Sequence, residues 1–553
     1  MILIAALALF VLAWWWRSLP TRATVLAVAA SAGFVAGLFG MLDDRWQAGA
    51  GVAVSVLFML VLLLTRVRQH ETRGGVPYVS GTLFGLLAAL AVAAIVLFPV
   101  GRLPAPTGTH AVGVRSLELD DAARPGVFAA KPDEPRRLLV RVWYPAQTVQ
   151  GLKAMPYFSA AEAEHSARSL GALIGFPPLL TYLKHARTNS YEGAPLLSGA
   201  QQLPTIFFSH GYTSSLGQNA ALMEELASHG YVVYSVQHTY DSSATVFPDG
   251  DVLPTDPALV EQGKAEAQRS DPRPAAMVQG FTSADLDQRL QGQLQYAQQV
   301  LDKGERIATE SAPVWVADRI FVHDRLQRGE VPVEIVQIAA ASDFAHTGEM
   351  GMSFGGSTSG GLCMVDPRCA AAVNLDGGDF HYAPFDADSP VPVLMFYTNI
   401  ASLYRMMGVT PQVPLRGYND FSYERFENAG TRPDVYRVQM PSAEHLGLTD
   451  FPLFMRRPLR DPLLGTTPAD VMIRVQRDFV RGFFDRHLRG IASDFPQPQL
   501  REYTAWVQPQ SNADVRAWWL AKPAAEREVL EARIAELKAK AGHAGRRPAA
   551  GGG

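Results

Sequence analysis

The sequence predicts an α/β domain, with a mostly parallel sheet flanked by helices, preceded by an all-helical transmembrane region. Three observations lead to this reading. Apolar runs crowd the first hundred residues, at Ile2–Trp16, Ala23–Leu42, Ala48–Leu64 and Val79–Val100, with short polar loops between them. Strand-like and helix-like stretches alternate afterwards, as they do in a parallel sheet covered on both faces. A Gly-x-Ser-x-Gly pentapeptide, Gly351-Met352-Ser353-Phe354-Gly355, then Gly356, stands among the strand-like runs.

The first hundred residues account for the unusual balance of the 553-residue chain, 48% apolar and only 18% charged. The second and fourth runs have spanning length, while the first and third lie near or below the lower limit of about 17 residues. We expect about four helices over residues 1–101, with two or three spans as the alternative. A cleavable signal peptide is not expected, because no basic residue precedes Ile2 and no small-residue cleavage site follows the tryptophans. Arg17 and Arg22 fall in the first loop and Arg66, Arg68 and Arg73 in the third, whereas the second holds Asp43, Asp44 and Arg45. Positive charge stays inside, so the first and third loops face the cytoplasm and everything after Val100 faces outward. The expectation is an integral protein of a bacterial inner or cell membrane with its catalytic domain on the periplasmic or extracellular side. Trp14–Trp16, Trp46 and Tyr78 are placed as interface anchors. Gly33-x-x-x-Gly37 is a weak mark of close helix packing.

The net charge of −4 offers nothing for nucleic acid. Neither Cys-x-x-Cys nor His-Glu-x-x-His occurs, so no metal is expected, and no cofactor. Cys363 and Cys369 are compatible either with a disulfide outside the cytoplasm or with two buried thiols.

The pentapeptide suits a serine nucleophile. A serine hydroxyl reacts poorly unless a base removes its proton and donors receive the oxyanion. In a strand–turn–helix setting, flanking glycines allow the tight turn that presents the hydroxyl, and Gly355 and Gly356 leave room for close backbone approach. The apolar run in Val331–Ala341 (Val333, Ile335, Val336, Ile338) is expected to be the preceding strand. A second run, Ala370–Leu375, ends in Asp376, and a third, Val435–Met440, leads to His445. The order Ser353, Asp376, His445 is that of an α/β-hydrolase. Asp379, Asp386 and Asp388 compete with Asp376 as the acid, and His381 competes with His445 as the base. The buried run Pro204–Ser209 ends in His210-Gly211, a loop able to aim the Tyr212 backbone N–H at an oxyanion, with Phe354 N–H as the second donor. The side chain of His210 is expected to be a structural support.

At these residues the chain resembles the platelet-activating factor acetylhydrolase-like family of α/β-hydrolases. The resemblance rests on Phe208-Ser209-His210-Gly211, Leu226 to Val233, His238, Ser242 to Thr245, the Gly351–Gly356 motif, Asp376 and the loop Glu444 to Phe451 that holds His445 and Asp450. It covers about residues 113–490. Met352 stands where histidine is usual, and the membrane region is foreign to the soluble members. The resemblance implies calcium-independent hydrolysis of short or oxidised acyl chains from phospholipids, or of other esters.

Residues 102–112, with Pro104, Pro106 and Gly108, read as a linker, and 113–510 as the catalytic domain. Arg137–Pro145, Tyr231–Val236 and Val391–Tyr397 supply further strands, and Gln218–His229 and Val471–Leu488 have helical patterning. Segments near 154–197 and 256–326 look like cap insertions over the catalytic face. In 511–553 we expect a short surface helix carrying Leu530, Ile534 and Leu537 on one face, then a disordered tail. The expected partners are an ester, lipid in the first instance, and the bilayer; the alternatives are a general carboxylesterase or polyester hydrolase, an acyltransferase, or a catalytically inactive membrane scaffold.

Overall fold

A computed structural model describes residues 1–68, 76–126, 128, 134–268, 274–382, 384–406, 408–410 and 415–544. Arg73, the side chains of Arg66, Arg68 and Tyr78, and the last nine residues of the expected tail lie outside the described residues. The chain divides into two units. One comprises residues 1–102, 158–186 and 454–460, and the other comprises 103–157, 187–453 and 461–553.

The first unit is built on four helices, α1 (Ile2–Trp15), α2 (Arg22–Leu42), α3 (Ala48–Arg68) and α4 (Val76–Leu97). α2, α3 and α4 are long and apolar enough to cross a membrane. α1 has 14 residues, a rise of about 21 Å against a hydrocarbon core of about 30 Å. It packs by aromatic contacts instead: Phe10 stacks on Phe58 at 3.7 Å, and Trp14 meets Phe84 edge-on at 4.8 Å. A Cβ on Gly37 would stand 2.7 Å from a Val52 methyl, so the small residues of α2 do admit α3 closely.

The second unit carries an 11-stranded sheet. Its strands are β1 (Ala111–Pro125), β2 (Pro135–Ala146), β3 (Ala154–Pro156), β4 (Arg187–Glu192), β5 (Leu203–Ser209), β6 (Val232–Gln237), β9 (Ser342–Met352), β10 (Cys369–Leu375), β11 (Val393–Tyr397), β12 (Val435–Gln439) and β13 (Gln508–Pro509), with a separate small hairpin of β7 (Thr245–Val246) and β8 (Val252–Leu253) between β6 and β9. The spatial order is β13-β12-β11-β10-β9-β5-β6-β2-β1-β4-β3. From β12 to β6 every neighbouring pair is parallel. β2 runs antiparallel to both β6 and β1. Parallel strands buried on both faces read as continuous apolar runs, and Val232 to Gln237 is buried at every position.

Between β5 and β9 the succession of strands reverses direction, because β5 leads to β6 on one side and β9 leads to β10 on the other. Ligands of open α/β sheets bind at the carboxyl ends of strands beside such a switch point. Ser353 follows β9 and Tyr212 lies just beyond β5.

One expectation needs correction. The run expected as the strand before the serine is a helix, Val333–Ala341, and the strand begins at Ser342. Its buried residues, Ile335, Ile338 and Ala339, recur at helical spacing, and Pro332 stands at the N-cap, where a missing N–H costs nothing. The helix Ala524–Ala544 has the expected surface pattern, since Leu530, Ile534 and Leu537 are buried with Leu290, Leu294, Phe426 and Trp519 while most of its other residues are exposed. The residues read as a linker are also tied down. Pro104 O accepts from Asn189 Nδ2 at 3.1 Å and from Arg477 at 2.8 Å, and Thr107 N–H donates to Glu225 at 2.9 Å. Of the two insertions expected as caps, 158–186 groups with the helical unit.

Beneath the sheet ends, fully buried Arg136 grips Asp318 with two hydrogen bonds of 2.6 Å. Removing one partner of a buried ion pair leaves an uncompensated charge, at a cost of about 3–5 kcal/mol. Asp318 also keeps Arg124 and His238, each at 2.9 Å, so Arg136→Ala is expected to lower the stability of the second unit by less than that, about 1–3 kcal/mol, read as a reduced unfolding midpoint in urea; an unchanged midpoint would contradict the assignment.

Candidate active site

The turn between β9 and the following helix, Phe354–Cys363, presents Ser353 with φ 55° and ψ −125°. Positive φ is uncommon for a residue with a Cβ and costs on the order of 1–3 kcal/mol, so the surroundings must hold it. They do so through backbone contacts. Ser353 N–H donates to Leu375 O at 2.7 Å. A Cβ on Gly351 would collide with the backbone of Gly355, and one on Gly355 with the carbonyls of Ser209 and His210. Gly356 packs as closely on the Asn374 amide. The spacing of these glycines is thus what the turn demands sterically.

Ser353 Oγ lies 2.9 Å from His445 Nε2, and His445 Nδ1 lies 2.7 Å from Asp376 Oδ2. Ser353 is partly exposed and Asp376 is buried. Asp376 directly follows β10 and also takes positive φ, 62°. Its Oδ1 accepts from Thr398 N–H at 2.8 Å and Tyr418 O–H at 2.6 Å, and its Oδ2 accepts from Thr398 Oγ1 at 2.5 Å. Burial alone would raise the carboxyl, but donors from His445, Thr398 and Tyr418 outweigh it and hold the group below its ordinary value. An ionised carboxylate only accepts, so His445 carries its proton on Nδ1 and leaves Nε2 to accept from Ser353.

The loop after β5 is held from several directions. Gly211 N–H donates to Gln218 Oε1 at 3.0 Å, and Thr213 N–H to Asp241 O at 2.8 Å. His210 is fully buried, and burial lowers its pKa to about 3, so the ring is neutral. Its Nε2 accepts from His238 N–H at 3.1 Å, which leaves Nδ1–H to donate to Gly211 O at 2.7 Å. In a trans peptide the C=O and the next N–H point opposite ways. Fixing Gly211 O therefore fixes the direction of Tyr212 N–H. Among the hydrogen bonds of the described residues, none is donated by the backbone N–H of Tyr212 or of Phe354. A Cβ on Gly211 would stand 3.4 Å from Ser353 Cβ, so this loop lies against the serine.

Aromatic rings back both N–H groups. Tyr212 and Phe354 meet edge-to-face at 5.3 Å, and Trp315, from the 256–326 insertion, meets Phe354 at 4.7 Å and stacks on His238 at 3.9 Å. His238 in turn contacts Asp318 at 2.9 Å and Ser209 Oγ at 3.1 Å. The sequence had not singled out Trp315, Asp318, Thr398 or Tyr418. Thr398 directly follows β11, a position that could have flagged it, whereas Trp315, Asp318 and Tyr418 lie in helices or loops without a local signature.

The competing residues are engaged otherwise, although His381 meets Phe354 edge-on at 5.5 Å. Asp379 accepts from Asn374 at 3.0 Å and from Tyr423 at 2.8 Å, and burial raises it well above a carboxylate's usual range. Asp386 and Asp388 accept the backbone N–H groups of Phe426 and Arg425. Burial takes His381 down to about 3. Asp450 does not reach His445; it accepts the Ala221 N–H at 3.2 Å, at the start of the helix Ala220–Ser228. Met352 is buried at the end of β9. Cys363 and Cys369 form a disulfide between the helix after Ser353 and β10.

Residues 96–258 match the family model described as platelet-activating factor acetylhydrolase, isoform II. The chain is 23% identical over 460 residues to a protein of Arthroderma benhamiae described as a probable 1-alkyl-2-acetylglycerophosphocholine esterase, covering 76% of this chain and 98% of that one. These likenesses support an ester-hydrolysing enzyme. A solved ferulic acid esterase from Streptomyces cinnamoneus, 23% identical, covers 75% of the chain and all of its own length with a TM-score of 0.49. The family match includes the esterase's His210-Gly211-Tyr212 loop and ends before Ser353.

Tyr418→Phe in the esterase removes one donor from a buried carboxylate, a bond worth about 1.5–3 kcal/mol. Because Asp376 is depressed in the folded state, its stabilisation is present above the ordinary value of 3.8 and is lost as pH falls through the lower folded value. The variant is therefore expected to be less stable than the parent at pH 7, with the gap narrowing below pH 4. Urea unfolding at several pH values measures it; a gap independent of pH would show that the hydroxyl does not act on the charged form.

Proposed function

We propose that this carboxylic-ester hydrolase works through Ser353, His445 and Asp376 by way of an acyl-enzyme. The reading is carried by the unbroken chain from Ser353 Oγ through His445 to Asp376, with contacts of 2.9 and 2.7 Å. His445 Nε2 takes the hydroxyl proton as Ser353 attacks the ester carbonyl. The N–H groups of Tyr212 and Phe354 receive the oxyanion, in a setting where preorganised donors need no rearrangement. His445 then protonates the leaving alcohol, and Asp376 stabilises the imidazolium meanwhile. Water, activated by the same histidine, releases the acid and restores the serine.

The substrate class we favour is a lipid ester, a short-acyl phospholipid in the first instance. Its support is the described activity of the Arthroderma benhamiae relative together with the three apolar helices on the same chain. Those helices anchor the enzyme, and arginine placement in the first and third loops puts the catalytic unit outside the cytoplasm. The disulfide is compatible with that compartment.

Hydrolysis of a p-nitrophenyl ester series of increasing acyl length, with a short-acyl phospholipid alongside, tests the reading. Ser353→Ala and His445→Ala are expected to lower kcat by about 10⁴- to 10⁶-fold, and Asp376→Asn by about 10⁴-fold. An initial burst of p-nitrophenol in the parent would reveal the acyl-enzyme. Undiminished turnover in Ser353→Ala would sink the mechanism, and a flat chain-length profile with no phospholipid turnover would favour a general carboxylesterase.

A further inference from the structure

Residues 158–186 run between β3 and β4 in sequence, yet they group with the helical unit. They are attached to the boundary of that helix bundle. Trp46, in the loop between α2 and α3, donates its Nε1–H to Leu179 O at 3.1 Å and packs edge-on against both Phe176, at 4.8 Å, and Phe98, at 5.0 Å. In the same loop, Asp44 pairs with Lys184 Nζ at 2.6 Å, and Asp43 O lies 2.8 Å from His185 Nε2. Tyr182 O–H donates to Phe454 O at 2.9 Å, and Arg456 N–H to Leu97 O, at the end of α4, at 2.9 Å. The segment is thus held at one end of the bundle, level with the last turns of α2 and α4 and the first of α3.

At that level the segment exposes Ala172-Leu173-Ile174-Gly175-Phe176-Pro177, six consecutive residues without a charge. Ile174 is 65% exposed, more than any other large apolar residue of the segment. Bare apolar runs of this kind mark an interaction surface. The neighbouring ends of the spans carry the same character, since Phe39 and Leu42 of α2 and Val100 beyond α4 are also exposed. A tryptophan at a span end sits at headgroup depth, and here Trp46 contacts Phe176 directly.

We propose that Ala172–Pro177 is an interfacial membrane loop, which inserts Leu173, Ile174 and Phe176 into the leaflet on the Trp46 side of the bilayer. Its occupant is the glycerol and upper acyl region of phospholipid, continuous with the lipid that covers α2 and α4. The assignment rests on the reading of α2, α3 and α4 as membrane spans. On the loop's flanks, Lys184 is engaged with Asp44 and His185 with Asp43, while exposed Arg168, four residues before the loop, has a long side chain that can reach the headgroups.

The test uses the full chain in phospholipid vesicles, with the native cysteines paired. Ile174→Cys carries an environment-sensitive fluorophore, and doxyl-labelled lipids with the quencher high on the acyl chain are added. Val35→Cys, exposed within α2, reports the bilayer, and Val529→Cys, exposed in the last helix, reports water. The expected result is a blue-shifted emission at position 174, with loss of fluorescence in doxyl lipid as at position 35, and neither at position 529. Quenching at 35 but not at 174 overturns the loop assignment and leaves the spans intact. Quenching at neither position overturns the membrane reading itself. A blue shift at 174 that is insensitive to doxyl lipid and grows with protein concentration assigns the surface to a second copy of the chain and also overturns the proposal.

Discussion

The turn at Ser353 is a place where three strands are forced together, and the geometry of the site depends on it. β9 ends there, Ser353 N–H is bonded to the last carbonyl of β10, and Gly355 packs on the carbonyls at the end of β5. No side chain heavier than hydrogen fits at Gly351 or Gly355 without displacing backbone. A serine held at φ 55° would relax if this packing were loosened. The hydroxyl then points away from the sheet, within 2.9 Å of His445 and against the loop that carries Tyr212.

Polar burial behind the site supports the same geometry. Arg136 and Asp318 hold His238; His238 N–H holds His210, and His210 holds the Gly211 carbonyl. Arg136 Nε and Nη2 and the donors of His238 and His210 find acceptors of defined orientation, whereas Arg136 Nη1 finds none, and such buried bonds favour one arrangement. Asp376 is treated alike from the other side, by Thr398 and Tyr418. The aromatic contacts among Tyr212, Phe354 and Trp315 complete the support from the inserted helix.

Much of this was legible in the chain itself. The run Ala370–Leu375 before Asp376 and the run Val435–Met440 before His445 read as strands because they are apolar and short, and the structure makes them strands. Val333–Ala341 misled for the same reason: an apolar run of that length suits a strand or a buried helix face, and Ile335, Ile338 and Ala339 lie on one helical face. Residues 158–186 were less legible. Their aromatic residues suggest burial, but whether Phe176 packs over a cleft or on Trp46 depends on a partner 130 residues away.

By itself, the sequence determined the α/β class, the apolar helices at the front, and the order of Ser353, Asp376 and His445. These follow from periodicity, run length and the steric need for glycine, all local properties. Tertiary structure alone decided which carboxylate meets His445, which donors hold it, and how the His210 loop is oriented. It also decided that Ala172–Pro177 is left bare beside Trp46. Those outcomes depend on residues far apart in the chain arriving within hydrogen-bond distance, and no short segment encodes that distance.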